Sequence, residues 1–320
     1  MKKGIRSKVY GIGYKSFLYF LIPLYHIPYT SLAQQDAQYS QYMFNQLALN
    51  PAYAGSRDVF ATSLFYRNQW TGLSGAPTTA SFSVQAPLWK KKMGMGAEIF
   101  SEKLGPKNIS ALLVSYSYRV HLLKGNLSFG LRMGIYDYVF DWNKMNYKDL
   151  NDQYYMDNKG TSSTKITGTG DFGMYYYSRT FYWGLGLNHL NEGKITNEAI
   201  GDTSARQALH FFMPIGKSFE VGNTVINPSI LFKGAKNSPG GVDLNINVLL
   251  KERLWLGVSL RSNYGIVFLT QYQIKDKMKV GYSYDYGRNK IGRVGGGTHE
   301  IMIGYDINIF GTKMIMPRYL

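Results

Sequence analysis

The sequence predicts an all-β fold: a transmembrane, antiparallel outer-membrane β-barrel of about fourteen strands, with roughly 12–16 as the outer limits. Three observations carry this reading. Apolar and polar residues alternate with period two from Gly55 almost to the C-terminus, the mark of strands with two unlike faces. After residue 33 no apolar run approaches the roughly 20 residues of a helical span. The connections between alternating segments also sort by parity, with the long ones falling on one side.

Met1 to Ala33 reads as a cleaved secretory signal peptide. Lys2, Lys3, Arg6, Lys8 and Lys15 form a basic front, Phe17 to Ile27 a short apolar core, and Ser31-Leu32-Ala33 sets small residues at the cleavage positions. Pro23 and Pro28 interrupt the run, which argues against an anchoring helix. Losing these five cations and no acid takes the net charge from +16 to +11. The remaining basic residues lie mostly in turns. No clustered basic face or binding motif marks a nucleic-acid partner. With no cysteine, disulfides, thiol chemistry and the usual zinc signatures are absent.

Residues 34–56 form a lead-in segment of mixed polarity. Tyr39, Tyr42, Phe44, Leu47 and Leu49 are its apolar anchors. The residue before Pro51 is biased away from the helical region, so a helix begun near Tyr39 ends by Asn50. The barrel follows over 57–310, and 311–320 is a C-terminal periplasmic tail. The expected strands span about 58–70, 78–88, 93–102, 109–122, 127–141, 166–178, 181–190, 207–215, 223–234, 241–250, 253–262, 265–274, 278–287 and 298–310. In the fourth, Leu112, Val114, Tyr116, Tyr118, Val120 and Leu122 share one face, opposite Ser115, Ser117, Arg119 and His121. Lys279 to Tyr286 and His299 to Phe310 repeat the pattern.

With both termini periplasmic, the odd connections face outward, and these include the two long ones, 142–165 and 191–206. Aromatics at strand ends (Tyr66 and Trp70, Trp89, Tyr136 to Trp142, Tyr175 to Tyr177, Phe181 to Trp183) read as an interfacial girdle. Inward positions carry Arg67, Glu98, Arg119, Arg132, Asp171, Asp243, Arg261, Asp285, Glu300 and Asp306. Such mixed signs either pair and fill the lumen or solvate a channel.

Signals for chemistry are weak. His121, His189, His210 and His299 lack metal-ligand spacing, and Asn188-His189 is the sole hint of a rim catalyst. Gly295-Gly-Gly297 joins two strands and opens no helix, so it is a turn and not a phosphate loop. Asp149, Asp152 and Asp157 lack the spacing of a calcium loop. The reading is therefore a non-enzyme with no cofactor and no metal.

Gln38-Tyr-Ser-Gln-Tyr-Met-Phe-Asn45 and Leu47-Ala-Leu-Asn-Pro-Ala-Tyr-Ala-Gly-Ser56 resemble the N-terminal signature of the PorP/SprF family. Arg67-Asn-Gln-Trp70, Ala76-Pro-Thr-Thr79 and the ending Met316-Pro-Arg-Tyr-Leu320 are similar to family patterns as well. Gln46, where proline is common, and Leu320, in place of a terminal aromatic, depart from it. The resemblance implies a bacterial outer-membrane protein of the type IX secretion and gliding machinery, partnered with outer-membrane lipid, type IX components and a large secreted adhesin-type cargo. Diffusion porin and outer-membrane enzyme are the alternatives. Partner-binding or plug candidates are Gln38, Tyr39, Gln41, Tyr42, Phe44, Asn45, Leu47, Asn50, Pro51, Tyr53 and Gly55. Tyr147, Tyr154 and Tyr155 are surface-loop candidates, and Pro317, Arg318 and Tyr319 mark the tail. The apolar set of the lead-in has to dock, either in the lumen as a plug or on a periplasmic partner as an adaptor; the resemblance favours the adaptor.

Overall fold

The structure, a computed structural model, describes residues 37–88, 91–145, 151, 156, 160–195, 205–262, 264–275 and 277–308. Residues 1–36, which include the expected signal peptide, most of connection 142–161 with Tyr147, Tyr154, Tyr155, Asp149, Asp152 and Asp157, and residues 309–320 with Pro317, Arg318 and Tyr319 lie outside the described residues, as does Trp89.

The strands are β1 (Phe60–Asn68), β2 (Thr78–Leu88), β3 (Met93–Leu104), β4 (Lys107–Leu122), β5 (Gly125–Asp141), β6 (Ser162–Tyr177), β7 (Phe181–Asn188), β8 (His210–Lys217), β9 (Phe219–Val221), β10 (Thr224–Ala235), β11 (Gly241–Leu250), β12 (Leu254–Arg261), β13 (Gly265–Ile274), β14 (Met278–Gly287) and β15 (Thr298–Ile307). The three-residue β9 continues β8 past Ser218 against the same neighbour, β10, so the wall is a barrel of 14 strands. Every strand pairs antiparallel with its chain neighbour, and β1 pairs with β15 to close the ring.

Each expected strand is present. Several are longer than expected: β3 runs on to Leu104, and β4, β5 and β6 begin at Lys107, Gly125 and Ser162. The first residues of β6, Ser162 to Lys165, are all polar, so no apolar–polar contrast announces them. β8 starts later than expected, at His210. Pro214 in β8 has no N–H to give, and the β7–β8 ladder skips its position.

One end of the barrel carries the long connections 142–161 and 189–209, and the other carries tight turns such as 123–124 and 178–180. They are termed the loop end and the turn end. In β4, Leu112, Val114, Tyr116 and Tyr118 are exposed, while Leu113, Ser115, Ser117 and Arg119 are buried. The same outward apolar row recurs at Leu244, Ile246, Leu256, Val258, Phe268, Ile301 and Ile303. In a closed barrel this is the lipid-facing surface.

The girdle reading needs correction. Tyr136, Tyr138, Tyr175, Tyr177 and Tyr182 are buried inside the barrel. Tyr136 and Tyr138 share strand parity with Arg132, and Tyr175 and Tyr177 with Asp171, so alternation itself turns them inward. Connection 288–297 also holds a short helix, α2 (Lys290–Val294), where a plain turn is expected; Gly295 caps its C-terminus, so the glycine run trails a helix.

Candidate functional site

The lumen is occupied by the lead-in. Pro51 ends one turn and starts another, as its fixed φ requires. A 3-10 turn at Tyr42–Phe44, the helix α1 (Gln46–Leu49) and a 3-10 turn at Pro51–Tyr53 follow one another. Asn50, ahead of the proline, is extended (φ −149°, ψ 113°) and caps the last turn with its side chain. No run of this segment is long enough to be a stable helix alone; its shape comes from the wall around it.

Its contacts trace a path along the barrel axis. Near the loop end, Lys233 donates to the Gln38 side chain at 2.9 Å and to Asp243 at 2.7 Å. Arg261 donates to the Tyr39 carbonyl at 2.7 Å. The Glu300 carboxylate accepts the backbone N–H of Ser40 at 2.7 Å and of Gln41 at 2.8 Å. The Ser40 hydroxyl donates to Asp285 at 2.7 Å. Arg67 bridges both acids, at 3.0 Å to Glu300 and 2.8 Å to Asp285, and also bonds the Ser40 hydroxyl. At mid-height the Tyr42 hydroxyl meets the Asn245 amide, and Arg132, paired with Asp171, donates to the carbonyls of Leu47 (3.1 Å) and Ala48 (3.0 Å). Lower down, Asn50 donates to the Met174 carbonyl at 2.8 Å, and Ser117 to that of Ala54 at 2.8 Å. At the turn end Arg119 reaches the Gly55 carbonyl at 2.7 Å and Asp58 at 3.1 Å.

Glycines on the inner wall admit the backbone. A Cβ at Gly94 would sit 2.1 Å from the Ala54 carbonyl oxygen, and one at Gly130 2.2 Å from the Ala52 nitrogen. At Gly173 it would sit 2.0 Å from Asn50 Oδ1, and at Gly186 2.1 Å from the Leu49 carbonyl oxygen. Side chains fill the rest. Tyr39, Tyr42, Met43 and Leu49 pack with Phe65, Phe212, Leu231, Leu269 and Met302, and Phe44 lies against that cluster. Leu47, Ala52 and Tyr53 pack with Tyr175, Tyr177 and Tyr182. Fully burying one such large side chain is worth about 1.5–3 kcal/mol. Burial, with the charge of Glu98 adding to it, raises the Tyr39 phenol well above its ordinary range; burial and Asp243 do the same for Tyr42. Both phenols therefore stay neutral.

Asn45 is buried as well, and Pro51, Tyr53 and Gly55 complete the inner path, so the whole candidate set of the lead-in comes together inside the wall. The dock is the lumen and not the barrel's outside, which reverses the preference for an external adaptor site. The reason is complementarity: the inward charges pair with the segment's backbone, which no outer face offers. All ten inward ionisable residues are buried. Sequence reasoning missed Ser40 and the wall glycines. The register could have pointed to one contact, since Arg67 lies directly opposite Glu300.

A second filler occupies the loop-end half. Ile109, Ala111, Leu113, Tyr136 and Tyr138 pack with Phe100 and with Ile195 from connection 189–209. Gln207 donates to the Tyr138 hydroxyl at 3.1 Å. His189 is buried rather than at a rim, its N–H donating to Asp171 at 2.8 Å and its ring 3.0 Å from the Thr169 hydroxyl. His121 is exposed at the turn end, His210 bonds the Ala208 carbonyl, and His299 bonds Tyr282. Among the described residues no three His, Cys, Asp or Glu side chains form a metal-holding group.

The sequence matches the family described as Type IX secretion system membrane protein PorP/SprF over residues 31–305. The chain belongs to the PorP/SprF family. As a member it is a type IX secretion-associated protein of the outer membrane. No curated protein matches the chain. Similar solved structures include Omp33 of Acinetobacter baumannii, at 9% identity and TM-score 0.44, with 78% of this chain and 99% of that one covered. The TodX monoaromatic hydrocarbon channel deltaS2S3 mutant is similar at 11% identity and TM-score 0.48, covering 82% and 94%. The beta domain of the Bordetella autotransporter BrkA follows at 11% and 0.40, covering 78% and 98%. These likenesses concern the barrel architecture only.

Proposed function

We propose that this PorP/SprF protein is a non-enzymatic, solute-closed barrel that supports export or cell-surface attachment of a large adhesin-type substrate of type IX secretion. The observation that supports it best is the lumen, threaded by residues 38–55 and bonded to the wall at every level. A barrel so occupied is poorly suited to solute diffusion, which leaves its surfaces to serve partners. The turn end is read as periplasmic and the loop end as external, because long connections gather there. On this reading the first and last strands meet the periplasm, yet Gln38 lies in the outer half of the lumen. The third outward connection, with Tyr147, Tyr154 and Tyr155, has the aromatic and polar composition of an adaptable protein contact.

The experiment replaces residues 146–159 with a short Gly-Ser linker in the native host. The barrel should assemble with unchanged gel mobility, while the cargo leaves the cell surface and no longer co-purifies with the barrel. Normal cargo display in a strain lacking the whole protein would overturn the proposal.

A further inference from the structure

The outer wall carries a groove of about 560 Å3 at the loop end. Leu244, Leu260 and Ile266 line its floor. They are register partners across β11, β12 and β13, and Tyr286 on β14 extends the row. All four therefore form one continuous row across neighbouring strands on the lipid-facing side. Arg288 and Asn289 form the rim nearest the loop end. Arg288 is exposed, and its guanidinium has no partner among the described residues. The helix α2 adds exposed Lys290 and Arg293, and connection 288–297 contains no acid. The same helix exposes Ile291 and Val294, so cations and apolar side chains share one short element, as at a membrane interface.

Arg293 Nε donates to the Arg288 carbonyl at 3.0 Å, which holds the two cations side by side. An apolar trough below a cationic rim whose connection holds no acid matches an amphiphile with an acyl chain and an anionic head. We propose that the groove binds a phosphorylated glycolipid of the outer leaflet, its chain along Leu244, Leu260 and Ile266 and its phosphate at Arg288, Lys290 and Arg293. The choice of leaflet rests on the orientation given under Proposed function: an inner-leaflet phospholipid would meet the turn end instead. The lipid would brace the β11–β14 quarter of the wall.

The test uses the full-length barrel in detergent, incubated with monophosphoryl lipid A or with phosphatidylglycerol and read by native mass spectrometry. The wild type should retain lipid A. The variant Arg288→Gln/Lys290→Gln/Arg293→Gln, altered only at exposed sites, should lose at least about tenfold in retention, since each surface cation near an anionic lipid is worth about 1 kcal/mol. Leu260→Trp, which obstructs the trough and leaves the cations intact, should lose retention too. Lys251→Gln/Lys275→Gln/Lys277→Gln at the turn end should behave as wild type. Gel mobility before boiling reports that each variant is folded. Unchanged retention in the triple rim variant overturns the site, and an equal loss in the turn-end variant overturns its location. Phosphatidylglycerol retained as well as lipid A through the same residues overturns the glycolipid source. Surface tagging of connection 189–209 on intact cells separately tests orientation. Lipid A binding in detergent with a periplasmic tag would sink the orientation and leave the groove standing.

Discussion

The two halves of the lead-in are held by opposite means. From Gln38 to Tyr42 the wall adds chemistry: Lys233, Arg261, Arg67, Asp285 and Glu300 converge on backbone and small polar groups, with Asp243 behind Lys233. From Leu47 to Gly55 the wall removes side chains, and Gly94, Gly130, Gly173 and Gly186 let the segment's backbone come close. Arg132 and Arg119 join the two schemes by donating to carbonyls. The lesson is that a charged clamp depends on a few residues being present, while a close-packed channel depends on several side chains being absent. Substitution should therefore fail in different ways in the two halves.

The largest effect is expected at the clamp. Arg67→Ala leaves Asp285 and Glu300, both fully buried, without their shared cation, and breaking a buried pair this way costs on the order of 3–5 kcal/mol. Thermal unfolding of the purified barrel, read as loss of compact gel mobility, should show a large drop in midpoint. A change within error would mean that the clamp does not hold the segment. Next comes the glycine channel. Gly173→Ala forces Asn50 to move and should destabilise by about 1–3 kcal/mol. Gly170→Ala, three residues away with nothing within 4 Å of its Cβ, should be tolerated. Equal effects at both would remove the packing explanation. Tyr42→Phe takes away the hydroxyl that meets Asn245 and should lower stability by about 1 kcal/mol in the same assay. Smallest is Lys236→Ala, which breaks the solvent-exposed pair with Glu192 and should change stability by less than about 1 kcal/mol. A large loss there would blur the distinction between buried and exposed pairs.

The wall was readable from sequence because lipid imposes period two on every strand, and Val114 beside Ser115 is enough to set both faces. Asn50 before Pro51 likewise announced its extended backbone. The inner contacts were not readable, because Ser40 and Glu300 lie 260 residues apart and nothing local ties them. The wall glycines look like ordinary strand glycines until the lead-in is seated against them. The inward tyrosines were misassigned because aromatic position along a strand was weighed above parity. Inside this barrel, parity decides.

The central claim is that the lead-in closes the lumen. Single-channel recording of the full-length protein in planar bilayers tests it most directly, alongside a chain lacking residues 38–45. The account predicts no stable conductance from the full-length barrel and a clear rise when the segment is removed. A steady, ion-conducting pore in the intact protein would contradict it.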